Sequence, residues 1–93
     1  MVQAVITIKI MPESPDVDLA LLQQHAEHAI DAFVGDRGEK RAELEPIAFG
    51  LKALKITFVM DEAKGSTEPL EQSIEKIEGV SSIDVVDVRR AVG

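Results

Sequence analysis

A chain of 93 residues has room for one two-layer core, and the absence of cysteine excludes a disulfide framework, a thiolate metal site and a cysteine nucleophile. Seventeen acidic residues against ten basic give a formal charge of −7, which argues against a surface that tracks phosphates, and the three aromatics, all phenylalanine, offer little on which to stack bases. A cysteine-free chain suits a reducing cytoplasm, and Met1 leads into an alternating segment with no signal-type or membrane-spanning apolar run, so a cytoplasmic location is expected.

Val2 to Met11 places Val2, Ala4, Ile6, Ile8 and Ile10 in one phase and Gln3, Val5, Thr7, Lys9 and Met11 in the other, the two-residue period of a half-buried strand. Pro12 to Pro15 breaks it. Ser14 followed by Pro15 predicts an N-cap with proline at the first helical position, and Asp16 and Asp18 suit the positive end of the helix dipole. The stripe Leu19, Leu22, Ala26, Ala29, Ile30 and Phe33 has helical spacing, so the first helix ends near Gly35. Gly35 to Arg41, carrying Asp36, Arg37, Gly38, Glu39 and Lys40, reads as a solvated polar loop. Ala42 to Phe49 is a weaker strand, and Pro46 assigns it to a sheet edge, where a missing ladder bond is tolerated.

Leu51 to Glu62 is the cleanest strand, with Leu54, Ile56, Phe58 and Met60 in the buried phase. After a turn at Ala63 to Gly65, Ser66 or Thr67 caps a second helix that has Pro69 in its first turn. Leu70, Ile74 and Ile77 form its buried stripe, Glu68, Glu71, Glu75 and Glu78 its acidic outer face, and Gly79 its C′ residue. In the last strand, Val80 to Arg90, Ile83 and Val85 give way to Val86 and Val88, a change of phase that implies a bulge or a strand covered on both faces.

The order strand, helix, strand, strand, helix, strand predicts a ferredoxin-like α+β sandwich: a four-stranded antiparallel sheet, spatial order 4-1-3-2, with both helices on one face. The first and third strands, which alternate most cleanly, take the centre. The expected core is Ile6, Ile8, Leu22, Ile30, Phe33, Ile56, Phe58, Leu70, Ile74 and Ile77.

Little in the chain points to catalysis. His25 and His28 lie three apart on the first helix without a third ligand at a fitting position, so they read as solvated histidines. The glutamates of the second helix read as a solvated face, and no phosphate loop, nucleophile elbow, zinc motif or dinucleotide fingerprint occurs. Two features exceed what a core needs. Phe49, between Pro46 and Gly50 at a hairpin tip, is either a buried edge anchor or an exposed knob for a partner. Arg89-Arg90-Ala-Val-Gly is a cationic end on an acidic chain, read as a solvated tail or as a partner contact.

The run Pro46-Ile-Ala-Phe-Gly-Leu-Lys-Ala-Leu-Lys-Ile, with Asp61-Glu62, Leu70-Glu-Gln-Ser-Ile-Glu and the closing Val80-Ser-Ser-Ile-Asp-Val-Val-Asp-Val-Arg-Arg, resembles the elongation factor 1-beta family in its short archaeal form. The resemblance spans essentially the whole chain. It implies a single exchange domain over residues 1–93 that is not an enzyme, uses no cofactor and touches neither nucleic acid nor membrane. That domain promotes GDP release and GTP reloading of elongation factor 1-alpha. By the same resemblance Phe49, Gly50, Lys52, Arg89 and Arg90 are partner contacts. Phe49 stands at the hairpin phenylalanine that lies against the GTPase in eukaryotic factors, and Arg90 where those factors have a C-terminal lysine reaching the magnesium site. Here that residue is arginine, a second arginine precedes it and three residues follow.

Two other classes share the topology. A small-molecule-binding regulatory module would need a ligand pocket. An enzyme of the acylphosphatase kind would need a phosphate-binding loop after the first strand, where this chain has Met11-Pro12-Glu13.

Overall fold

The computed structural model describes residues 2–35 and 38–91. Strand β1 (Gln3–Pro12), helix α1 (Leu19–Val34), strands β2 (Lys40–Pro46) and β3 (Lys52–Asp61), helix α2 (Glu68–Glu75) and strand β4 (Val80–Ala91) follow one another, with a 3₁₀ turn at Glu62–Lys64. All strand pairs are antiparallel and the spatial order is β2-β3-β1-β4, the predicted ferredoxin-like arrangement. The reading of Asp36 and Arg37 as part of a solvated loop, and that of Val92 and Gly93 as a tail, lie outside the described residues.

The core forms because the alternating phases of the two central strands meet in register. Ile6 faces Phe58, Ile8 faces Ile56 and Ile10 faces Leu54, and all six are buried. Leu22, Ala26 and Ile30 of α1 and Leu70 and Ile74 of α2 close over this face. Phe33 and Ile77 are half-buried at its margin instead of inside it. On the open face Thr7 and Thr57 pair through their hydroxyls at 3.0 Å, and Glu45 receives both Lys9 (3.8 Å) and Lys55 (3.9 Å).

Several element ends differ from the sequence expectation. Helix α1 is capped by Asp18, whose Oδ1 accepts the N–H groups of Ala20 and Leu21 at 3.1 and 3.2 Å. Ser14 instead closes a turn in which its carbonyl accepts the Val17 N–H, and this delivers Val17 to the core margin before the helix begins. Strand β2 starts at Lys40, which opposes Phe58 and donates to Asp31 and to the Gly38 carbonyl. It ends at Pro46, leaving Phe49 in the turn. Helix α2 stops at Glu75, with Lys76 as its C-cap, so Gly79 is not its C′ residue. Gly79 has φ 95° and its carbonyl accepts the Glu13 N–H at 2.9 Å. A Cβ there would sit 3.1 Å from Val17 Cγ1, so a side chain would need Val17 to give way on a backbone whose φ already favours glycine. The phase change in β4 is a bulge: Ile8 opposes Val85 and Thr7 opposes Asp87, with Val86 unpaired between them.

Candidate functional site

At one end of the sheet, the β2–β3 hairpin carries Phe49 and Gly50 at consecutive positive φ values of 57° and 78°. The Leu51 N–H donates to the Ala48 carbonyl at 3.0 Å, and the Ile47 N–H donates to the Leu51 carbonyl at 2.9 Å. Two left-handed residues in succession are the φ signature of a type I′ turn, whose twist matches that of the strands it joins. Gly50 adopts this backbone freely, with Pro15 near enough that a Cβ would meet it at 3.9 Å. Phe49 does not, since its Cβ crowds the carbonyl that follows. The ring is nevertheless 95% exposed, which excludes the buried-anchor alternative. Lys52, opposite Pro46 at the base of the hairpin, is also exposed.

Arg89 and Arg90 occupy the other end of the sheet and point apart. The bulge at Val86 resets the phase of β4, so that Arg90 opposes Ala4 on the helix side while Arg89 opposes Val5 on the open side. Arg90 donates from Nε to Glu62 Oε2 at 2.9 Å and from Nη2 to Glu62 Oε1 at 2.6 Å. Hydrogen bonding and charge from Glu62 raise the guanidinium's pKa above its ordinary value. Arg89 pairs within its own strand, Nε to Asp87 Oδ2 at 2.9 Å. The two arginines, both expected as partner contacts, therefore share no contact among the described residues. Beside Arg90 lies an open cleft of about 540 Å³, floored by Ala4, Ile6 and Met60 and walled by Val88, Glu62, Ser66 and Thr67.

Along β3 the residues level with Arg90 and with the hairpin base are Met60 and Lys52, so at strand rise the two groups of candidates are about 27 Å apart along the sheet. The fold brings together Phe49, Gly50 and Lys52, and keeps the arginines away from them. Among the described residues no cavity unites the five, which suits a surface that meets a large partner at two places better than a site for a small molecule. His25 and His28 are exposed on α1, and among the described residues no group of three His, Cys, Asp or Glu side chains is arranged to hold a metal. In the acidic face of α2, Glu71 accepts the Thr67 hydroxyl at 2.9 Å. Glu62 is not among the site residues expected from the sequence, and its contact with Arg90 follows from the bulge that sets which arginine faces it.

Residues 5–91 match the family described as the EF-1 guanine nucleotide exchange domain. The chain is 52% identical over 86 residues to elongation factor 1-beta of Methanothermobacter thermautotrophicus, covering 92% of this chain and 93% of that one. It is 44% identical over 89 residues to elongation factor 1-beta of Methanobrevibacter smithii, covering 95% and 96%, and 43% identical over 83 residues to that of Methanosphaera stadtmanae, covering 89% and 90%.

Proposed function

We infer, since the chain belongs to the EF-1 guanine nucleotide exchange domain family, that it is the guanine nucleotide exchange factor of elongation factor 1-alpha, promoting GDP release and GTP reloading during peptide-chain elongation. Residues 1–93 act as one exchange domain, in the cytoplasm. No helix among the described residues is long and apolar enough to cross a membrane. The observation that carries the reading past family membership is Phe49: an aromatic ring 95% exposed on left-handed backbone adds nothing to the core and has the form of an anchor for a partner.

Exchange of this kind makes and breaks no covalent bond. A GTPase holds its nucleotide through a phosphate-cradling loop and a magnesium ion shared with the phosphates. A factor that prefers the form free of nucleotide and magnesium lowers nucleotide affinity reciprocally when it binds. In this reading Phe49, with Gly50 and Lys52, sets binding. Arg90 sets release by competing for the acidic ligands or the phosphate surroundings of the magnesium, as a planar and permanently charged group can. The GTPase engages the factor at both ends of its 42 Å long axis, and Arg89, turned to the open face, contributes charge. The balance of −7 steers the factor toward a basic protein surface and away from RNA.

The test is release of labelled GDP from purified elongation factor 1-alpha with and without this protein. Release that accelerates with factor concentration and saturates is expected. An unchanged rate across the whole titration would refute the reading.

A further inference from the structure

The pair between Glu62 and Arg90 is better built than a surface ion pair requires. Both side chains are exposed, Glu62 at 42% and Arg90 at 66%, and exposed pairs add little to stability. Yet three separate features converge on this one. The bulge at Val86 brings Arg90, and not Arg89, to the helix side of the sheet. The backbone of Glu62 is pinned, its N–H donating to the Val2 carbonyl at 3.0 Å and its carbonyl accepting the Gly65 N–H at 3.1 Å. Asp61 caps the same 3₁₀ turn, its Oδ1 accepting the Ala63 N–H at 2.9 Å. The carboxylate thus rises from a fixed base and grips the guanidinium through both oxygens.

An arginine has five N–H donors in a planar fork, and this grip uses two of them, on Nε and Nη2. The remaining three, both on Nη1 and one on Nη2, have no partner among the described residues and can serve oxygen ligands outside the chain. We propose that Glu62 is the positioning residue for Arg90, holding its guanidinium at the end of the sheet with the unused donors presented outward. The proposal rests on the reading that Arg90 sets nucleotide release. A long side chain already held in one orientation has less freedom to lose on contact, so its loss of restraint is felt when Arg90 engages and not when the hairpin docks.

The experiment measures GDP release from elongation factor 1-alpha as a function of factor concentration for wild type, Glu62→Ala, Arg90→Ala and the double variant. Glu62→Ala is expected to lower the maximal release rate about fivefold, the scale of reordering one rotamer-rich side chain, with the half-saturating concentration unchanged. In the Arg90→Ala background it should have no further effect. If Arg90→Ala is slow while Glu62→Ala matches or exceeds wild type, the positioning role is overturned and the reading of Arg90 stands. If Glu62→Ala slows release equally in both backgrounds, it acts other than through Arg90 and the proposal also falls. If Arg90→Ala releases at the wild-type rate, the reading of Arg90 fails and takes the proposal with it. Loss of the Arg90 side-chain Nε–H resonance from its hydrogen-bonded position in Glu62→Ala, with the backbone spectrum otherwise retained, separates loss of restraint from loss of fold.

Discussion

Replacing Phe49 by asparagine should stabilise the fold while impairing exchange. Phe49 has φ 57° and its ring is 95% exposed, so the folded state carries backbone strain with no burial to offset it. A side chain in left-handed backbone costs roughly 1–2 kcal/mol, and asparagine avoids much of this through local hydrogen bonding. The substitution also creates Asn-Gly, a favoured type I′ pair. A net gain of about 1 kcal/mol raises the melting temperature of a domain this size by about 4–8 °C. Loss of an aromatic anchor should weaken the complex by about 2 kcal/mol, roughly thirtyfold in affinity. Thermal unfolding followed by circular dichroism, and GDP release titrated against factor concentration, read the two effects separately. A lowered melting temperature would refute the strained-turn argument, because it would mean that the ring is packed or the backbone is not left-handed. A raised melting temperature with undiminished exchange would refute the role of Phe49.

Truncating Phe58, buried opposite Ile6, to alanine should cost about 3–5 kcal/mol in a denaturant titration; a cost under about 1 kcal/mol would mean that the facing of β3 is wrong. Phe49→Ala should keep nearly the wild-type midpoint in the same titration yet weaken exchange, and a midpoint shift as large as that of Phe58→Ala would show that the ring supports the core. Arg90→Ala should lower the maximal GDP release rate across a magnesium titration without moving the melting temperature. Arg89→Ala, aimed at the other face and paired with Asp87, should fall well short of that effect, and equal losses from the two would contradict their divergence.

The sheet and its core were legible because β1 and β3 alternate without interruption and Pro46 marks β2 as an edge. Element ends were less so, because tertiary contacts choose among local signals of similar strength. Ser14-Pro15 is as good a helix start as Asp18 until Val17 has to reach the core margin. Lys40 and Arg41 show no apolar alternation and become strand only by pairing with Phe58 and Thr57. Helix α2 ends early because the chain must turn at Gly79 to bring Val80 beside Pro12. At the candidate site the sequence singles out Phe49 and Arg90 as candidates, but whether a hairpin phenylalanine is inside or outside depends on the turn's φ values. Which arginine meets Glu62 depends on locating a bulge to a single residue.

The bulge also bears on solubility. Strand β4 runs for 12 residues along an edge of the sheet, where a straight ribbon would offer another chain a long row of unpaired N–H and C=O groups. Val86 interrupts that row and twists the strand. In a chain lacking Val86 the pairs Val85 with Ile8 and Asp87 with Thr7 would follow one another without interruption. Such a chain would present a longer uninterrupted edge and a greater tendency to self-associate. The bulge that sets Arg90 on the helix side thus also breaks the edge to which another copy of the chain could pair.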